Sequence, residues 1–305
     1  MEFKAKTLED IQTELFICSP PTDPQITPLT LYHYTSNDAK NIIVNEEEMS
    51  VNFRLTKASD FLDKNEGTYI LEPYYHACGS LYDKNIIDFD FYSILKSIKS
   101  SSIKRNAKNF WILCLTAEGY SKFMKERYAP NDGWLIELAE TAFDKLIRAF
   151  NSENDTNFSN WICMAEVRYT YYEMKEQLQD VIHKIFDRYN SDNSKSKKKK
   201  RSLVLKTLKQ YLSQYNFCYK SESYKDEKEI RLICCVDKRF DNWVNKSDPQ
   251  MYLYFKDNRL YLHLAKDCYR RSMQQPNVYN AIEMNKAIIT SEEIRNTLKN
   301  RSQEF

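Results

Sequence analysis

Glycine is scarce in this chain of 305 residues, which contains only four. A dinucleotide-binding Gly-x-Gly-x-x-Gly turn, a phosphate-binding loop and a Gly-x-Ser-x-Gly nucleophile elbow each need clustered glycines, because only a residue without a side chain lets the backbone approach a ligand closely. Here the glycines are spread over positions 67, 79, 119 and 133. The sequence therefore excludes these three kinds of site.

Clustered metal ligands are also missing. The four histidines lie far apart without a His-Glu-x-x-His pattern, and the eight cysteines include no Cys-x-x-Cys pair. Several cysteines lie within apolar runs, which is typical of reduced core residues rather than of disulfides or zinc ligands. We therefore expect no metal cofactor.

Neither long apolar segments nor a strong charge imbalance is present. No run approaches the roughly 18 apolar residues that a membrane helix needs, and the N-terminus lacks the apolar core of a signal peptide. The 45 basic and 43 acidic side chains give a net charge of +2, so any nucleic-acid binding must come from a local patch. We expect a cytoplasmic protein with no membrane partner.

The apolar pattern predicts a mixture of strands and helices. The continuous run from Phe110 to Thr116 predicts a central strand that is buried on both faces. Helices and strands do not alternate strictly, which favours an α+β fold. We expect mixed sheets that form a central cleft, with surrounding helices. Further strands are predicted at 29–34, 134–138, 164–172, 251–255, 259–264 and 281–289, and helices at 7–18, 35–45, 174–185, 205–215 and 291–298.

A basic segment interrupts the second half of what we interpret as a single domain over residues 1–305. Residues 191–201 are rich in serine and lysine, and the stretch from Lys195 to Arg201 places six cations among seven residues. Such a composition is typical of an exposed, mobile linker. The alternative is a loop that contacts the phosphates of a nucleic acid through Lys197, Lys198, Lys199, Lys200 and Arg201.

The first of two polar signatures is Leu-Tyr-His-Tyr-Thr-Ser, in which His33 lies between Tyr32 and Tyr34 at the end of a predicted strand. An imidazole can donate a hydrogen bond to a ribose hydroxyl, and a tyrosine ring offers a face for stacking. The alternative is a histidine whose ring is satisfied by the backbone.

The second signature is a Glu-x-Glu-x-Arg pattern that runs into an apolar strand. Side chains alternate along a strand, so Glu227, Glu229 and Arg231 are expected on one face. Glu229 would be a catalytic carboxylate, with Glu227 as a neighbour that shifts its pKa and Arg231 as the cation that keeps it ionised. The alternative is a solvated ion pair that contributes little stability.

Three further polar residues have plainer interpretations. Asp63 and Glu66 lie in a polar turn and are expected to be turn-forming residues. Thr116 ends a predicted buried strand, where its hydroxyl either faces a cleft or bonds to the backbone.

Together these segments resemble a bacterial domain family of unknown function, over about residues 29–290. Members open with His-Tyr-Thr-Ser, continue with a Phe-Asn-Asp-Pro-x-Glu turn and a Cys-Phe-Ser strand end, and close on a Trp-x-x-Glu-x-Glu-x-Arg strand. The chain departs from this pattern at Leu62, Lys64, Thr116, Lys125 and Tyr224. In its leading histidine and late Glu-x-Glu strand, that family is similar to ADP-ribosyltransferases, which bind NAD between two small sheets without a glycine-rich turn.

The resemblance implies that NAD is the substrate and that ADP-ribose passes to a protein or nucleic-acid acceptor, or to water in a glycohydrolase. It also implies the role of a toxin or anti-phage defence effector. Glu229 would stabilise an oxocarbenium-like transition state and Glu227 would orient the acceptor. The implied NAD-binding residues are His33, Tyr34, Thr35, Thr116 and Arg231.

Two other classes of function stay open. One is a non-catalytic module that binds nucleotides or nucleic acid, in which the Glu-x-Glu-x-Arg face is structural. The other is a metal-dependent nuclease that uses Asp63, Glu66, Glu227 and Glu229.

Overall fold

The protein folds into two antiparallel sheets with helices, which confirms the α+β class. The sheets are antiparallel rather than mixed, because neighbouring strands pair in opposite directions throughout the named ladders. The computed structural model describes residues 8, 15, 30–61, 65–131, 133–154, 160–237, 239–249, 251–264 and 269–274. Asp63, the predicted strand 281–289, the closing helix 291–298 and all of the opening helix except residues 8 and 15 lie outside this part of the chain.

The twelve strands of the described residues divide between the sheets. The larger sheet has the order β12-β6-β1-β5-β8-β7, with β4 also paired to β5, and the smaller sheet has the order β2-β3-β11-β10-β9. The bounds are β1 (Thr30–Thr35), β2 (Val44–Asn45), β3 (Ser50–Arg54), β4 (Thr56–Lys57), β5 (Phe110–Thr116), β6 (Trp134–Ala139), β7 (Trp161–Glu166), β8 (Glu229–Cys235), β9 (Asn242–Val244), β10 (Tyr252–Lys256), β11 (Arg259–Leu264) and β12 (Tyr269–Gln274).

Among the α-helices of the described residues, one follows β1, three follow β4 and four lie between β5 and β8. Their bounds are α1 (Asn37–Ile43), α2 (Leu71–Asp83), α3 (Phe89–Lys96), α4 (Ser100–Asn106), α5 (Lys122–Tyr128), α6 (Glu140–Asn154), α7 (Tyr171–Ser191) and α8 (Lys197–Tyr215). Ser36 caps α1, because its hydroxyl accepts a hydrogen bond from the amide of Ala39 at 3.3 Å.

The prediction of a linker over residues 191–201 is wrong. Helix α7 continues to Ser191, and α8 already begins at Lys197, so the connection is five residues long. Val204 and Leu208 are fully buried on α8. Lysine and arginine have good helix propensity, and the helix that these apolar residues anchor therefore extends back through the basic run.

Two other boundaries are informative. The strand predicted at 164–172 is β7, which ends at Glu166, and Tyr171 already opens α7. The strands predicted at 251–255 and 259–264 are confirmed as β10 and β11, which form a hairpin with Asp257 and Asn258 at φ values of 52° and 58°. Two successive left-handed residues are the signature of a type I′ turn, which matches the twist of the paired strands.

The large sheet buries both of its faces, in agreement with the apolar character of β5. On one face Phe110, Ile112 and Ile233 pack in a cluster with helices α2, α3, α7 and α8. On the other face Leu113 and Leu232 pack in a cluster that includes the small sheet. The side chains of successive residues along each strand therefore pack alternately into one hydrophobic core and the other. No helix of the described residues combines the length and apolar character needed to cross a bilayer.

A split in the large sheet positions the site. Strand β1 pairs along its whole length with β6 but meets β5 only where Tyr32 faces Thr116. The first half of β5 pairs instead with β4, where Thr56 faces Ile112. The edge of β5 between these pairs has no ladder partner on that side among the described strands, which leaves space between β1 and β4.

Candidate functional site

A cavity of about 720 Å³ lies beside this split. Its lining comes from strands β1, β4, β5 and β8 of the large sheet and from β3 and β11 of the small sheet. His33 and Glu229 both line it, although they are 196 positions apart (229 minus 33). The fold thus brings the two polar signatures together. A central cleft of the ADP-ribosyltransferase kind stays a prediction.

His33 lies within β1 rather than at its end, and its ring contacts both sheets. Nδ1 lies 3.0 Å from the carbonyl oxygen of Cys114, and the ring meets Phe53 edge-on at 5.2 Å. Because a carbonyl can only accept, Nδ1 carries the proton. Burial lowers the pKa of His33 and favours the neutral ring. Nε2 is then an acceptor, so a ribose hydroxyl would donate to His33, the reverse of the direction expected from sequence.

Tyr34 lines the same cavity, but its hydroxyl belongs to the scaffold. It donates to the carbonyl of Glu118 at 3.1 Å and accepts from the amide of Ser121 at 2.8 Å. Burial raises the pKa of Tyr34 to about 12. The residue fixes the segment after β5 to β1, and its predicted stacking on nicotinamide stays a prediction.

Glu229 and Arg231 form the centre of the site. Arg231 Nε donates to Glu229 Oε1 and Nη2 donates to Oε2, each at 2.9 Å. The guanidinium also donates to the carbonyl of Phe217 at 3.1 Å and pairs with Glu66 at 2.6 Å. Arg231 is 0% exposed and Glu229 4% exposed. Burial alone would raise the pKa of Glu229, but Arg231 and then Lys220 outweigh it and hold the pKa at about 2.

Lys220 is a site residue that the sequence did not reveal. Its Nζ lies 2.5 Å from Glu227 Oε2 and 3.3 Å from Glu229 Oε2, so one ammonium joins the two carboxylates. Burial opposes its charge, but Glu229 and Glu227 raise the pKa of Lys220. No local motif marks this lysine. Its position depends on the isolated β-bridge between Arg168 and Tyr219, the residue that precedes Lys220 in the chain.

Glu227 does not lie on the strand, so the predicted alternation is wrong at this position. It ends a 3₁₀ helix, Glu222–Glu227, and Lys228 has a left-handed backbone with φ of 42°. That turn still directs the Glu227 carboxylate into the cavity lining, where Oε1 accepts from the Tyr128 hydroxyl at 2.6 Å. Arg127 approaches the same oxygen at 3.7 Å.

Gly133 lies in the turn that follows Tyr128 at the end of α5. A Cβ built at Gly133 would lie 2.3 Å from the carbonyl oxygen of Ala129, far inside contact distance. Only glycine permits this approach, which closes the turn after α5 directly behind Tyr128.

Charge is distributed unevenly over the lining. The buried part contains three carboxylates, Glu66, Glu227 and Glu229, against two cations, Lys220 and Arg231, an excess of one negative charge. The more exposed part contains one carboxylate and four cations: Asp60, Arg54, Lys57, Arg127 and Arg259. The cavity is therefore anionic inside and cationic towards solvent.

Two of the predicted NAD-binding residues, Thr116 and Thr35, are not among the described residues that line the cavity, and NAD contact by either stays a prediction. Thr116 is fully buried, and its hydroxyl lies 3.1 Å from the Glu227 carbonyl and 3.2 Å from that of Lys228, while it accepts from the Glu118 amide. It therefore holds the turn that carries Glu227. Thr35 is buried at the end of β1, where it faces Trp134 of β6.

The basic run is the first turn and a half of α8. Lys197 pairs with Asp90 at 2.5 Å, and Lys200 donates to the carbonyl of Tyr189 at 2.6 Å. Lys198, Lys199 and Arg201 are exposed. None of the five belongs to the described residues that line the cavity, and phosphate contact by this run stays a prediction.

The carboxylates do not form a metal centre in the described part of the chain. No group of three or more histidine, cysteine, aspartate or glutamate residues there has the arrangement of a metal site. Arg231 pairs with both Glu66 and Glu229, so a guanidinium occupies the position that a bridging metal would need. Asp63, the fourth residue of the nuclease hypothesis, lies outside the described residues.

Comparison of the chain with protein-family models, curated proteins and solved structures found no match.

Proposed function

We propose that the protein binds NAD in this cavity and cleaves the bond between nicotinamide and ribose, transferring ADP-ribose to an acceptor or to water. The observation that carries the proposal is that His33 and the Glu229 cluster, from opposite ends of the chain, line one cavity.

The charge pattern supports NAD as the ligand. The oxidised nicotinamide ring is cationic and suits the buried region with its excess negative charge. The diphosphate is anionic and suits the exposed cations Arg54, Arg127 and Arg259. A ligand with one cationic end and an anionic middle therefore matches the cavity in both regions.

The chemistry follows from the same arrangement. When the glycosidic bond breaks, its electron pair moves to the nicotinamide nitrogen and positive charge develops on the ribose. The ionised Glu229, fixed by Arg231, stabilises that charge without reorganising. The acceptor oxygen then bonds to the anomeric carbon, and Glu227 takes up the proton that this oxygen releases. His33 Nε2 accepts a hydrogen bond from a ribose hydroxyl and orients the sugar.

One observation favours a second candidate, a non-catalytic nucleotide-binding module. Both oxygens of Glu229 already bond to Arg231, and Arg231 is satisfied by Glu66 and the Phe217 carbonyl. A buried network of this kind can serve stability alone. In that case the cavity would bind NAD without turning it over.

The candidates are separated by measuring nicotinamide release together with NAD binding by calorimetry, and by a parallel incubation of the protein with nucleic acid. The purified full chain is incubated with NAD, with and without a metal chelator, and free nicotinamide is measured by chromatography. We expect nicotinamide release that is insensitive to the chelator. NAD binding without release would support the non-catalytic module, and metal-dependent cleavage of nucleic acid would support the nuclease. The role of a toxin or defence effector rests on the family resemblance alone.

A further inference from the structure

The small sheet has an outer face that is chemically distinct from its inner one. Its inner residues, such as Phe53, Leu253 and Leu262, are buried in the core between the sheets. Its outer residues are half-buried or exposed. We call the following set the outer face: Asn52, Arg54, Tyr252, Tyr254, Lys256, Arg259, Tyr261 and His263.

Four rings form a continuous array on the outer face. Tyr254 stacks on Tyr261 with centroids 5.2 Å apart and planes within 17°, and Tyr252 stacks on His263 at 4.5 Å and 13°. Tyr252 and Tyr254 join the two pairs at 5.6 Å. The side chain of Asn52 donates to the Tyr254 hydroxyl at 2.8 Å and fixes that ring. Each ring is only half-buried and keeps surface for a further contact.

Three cations lie at one end of this array. Lys256 and Arg259 face each other across the hairpin, and Arg54 faces Tyr261 on the neighbouring strand. All three are exposed, and none pairs with a carboxylate of the described residues. Like charges directly opposite each other destabilise a strand pair. A bound anion would relieve that repulsion.

We propose that the outer face binds a single-stranded nucleic acid. Its bases would stack against the exposed parts of the tyrosine array, and its phosphates would lie on Lys256, Arg259 and Arg54. Stacking platforms flanked by cations suit single strands, because a duplex hides the faces of its bases. Successive cross-strand pairs on this face are about 7 Å apart, so ring pairs and the cation pair follow one another along a single line.

The outer face leads into the cavity. Arg54 and Arg259 belong to both the outer face and the cavity lining. A single-stranded nucleic acid bound to the outer face would therefore pass beside the site that holds Glu229. The nucleic acid would then be the acceptor of ADP-ribose, a role that rests on the proposed function. Binding itself rests only on the rings and cations of the outer face.

Binding can be tested with labelled 12-nucleotide single strands of RNA and DNA of mixed sequence, by fluorescence anisotropy at low and moderate salt. Lys256→Gln should weaken binding about three- to tenfold and reduce the salt slope by about 0.7, the value for one phosphate contact to a single strand. Tyr261→Leu should weaken binding about tenfold or more, since it removes a stacking ring. Tyr261→Phe keeps the ring and should bind within about twofold of wild type. Lys184→Gln, at an exposed position on α7, is the matched charge control.

The results separate this inference from the proposed function. If Tyr261→Leu fails to fold, Lys256→Gln at an exposed position decides the question. No binding at low salt, equal competition by a duplex, or a loss caused by Lys198→Gln and not by Lys256→Gln would overturn the inference. A protein that binds single strands through this face but releases no nicotinamide would retain the inference and remove the proposed function. Nicotinamide release without single-strand binding would retain the proposed function and overturn the inference, and it would point to a protein acceptor or water.

Discussion

The guanidinium of Arg231 holds both carboxylate oxygens of Glu229 at 2.9 Å, two positions away on the same face of β8. This bidentate geometry is the strongest form of an arginine–carboxylate contact. It keeps the carboxylate ionised and fixes its direction in a buried site.

Arg231→Lys should destabilise the protein strongly. Lysine keeps the charge but lacks the planar fork that contacts Glu229, Glu66 and the Phe217 carbonyl at once. We expect a loss of about 3–5 kcal/mol in the free energy of unfolding, measured by urea denaturation. Arg239→Lys is the control, since Arg239 is exposed and pairs only with Asp237 among the described residues; a change of less than about 0.5 kcal/mol is expected there. Equal effects of the two substitutions would contradict the structural role of Arg231.

Stability should depend on pH through Glu229. Its pKa in the folded state, about 2, lies below the ordinary value of 4.5. The ionised carboxylate therefore contributes stability that is complete above about pH 4.5 and is lost as the pH falls from 4.5 towards 2. The contribution is roughly 3 kcal/mol. Urea denaturation at pH 7, 4.5 and 3 should show a shallower acid loss for Glu229→Gln than for wild type; parallel pH profiles would refute this assignment.

His33→Ala should affect NAD binding more than turnover. The substitution removes the Nε2 acceptor that is proposed to hold a ribose hydroxyl in the ground state as well as in the transition state, so KM should rise while kcat changes less. Steady-state nicotinamide release measures both constants. His183→Ala on the exposed side of α7 is the control and should behave as wild type. A fall in kcat with unchanged KM would assign His33 to the chemical step instead.

Two glycines should respond in opposite directions to alanine. Gly133→Ala places a Cβ 2.3 Å from the Ala129 carbonyl oxygen, so we expect destabilisation of at least about 1–3 kcal/mol and a displaced Tyr128. Gly79 lies within α2 with no atom within 4 Å of an added Cβ. Gly79→Ala should therefore stabilise the protein by about 0.5–1 kcal/mol. Thermal unfolding compares the two, and a tolerated Gly133→Ala would contradict the close approach.

The sequence predicted the elements whose signals are local. The apolar run of β5 and the polar turn between β10 and β11 were located correctly, because each reflects a single dominant cause: burial on both faces in one case and turn geometry in the other. The basic run was misinterpreted as a linker because its helix depends on burial of Val204 and Leu208 further along the chain.

The candidate site was predictable only in part. The pairing of Glu229 with Arg231 follows from strand alternation, which is a local rule. Lys220 and Tyr128 reach Glu227 through tertiary contacts that no sequence period encodes. Glu227 lies outside the predicted strand because Lys228 adopts a left-handed conformation, which single-sequence patterns do not reveal for lysine.

The most direct test of the account compares nicotinamide release from NAD by Glu229→Gln and Glu222→Gln. The first substitution removes the buried charge that would stabilise the oxocarbenium-like transition state while keeping the shape of the side chain, and the second alters an exposed glutamate of the adjacent 3₁₀ helix. We predict that Glu229→Gln lowers kcat by about two to three orders of magnitude and that Glu222→Gln leaves it within about twofold of wild type. A folded Glu229→Gln protein that releases nicotinamide at the wild-type rate would contradict the central claim.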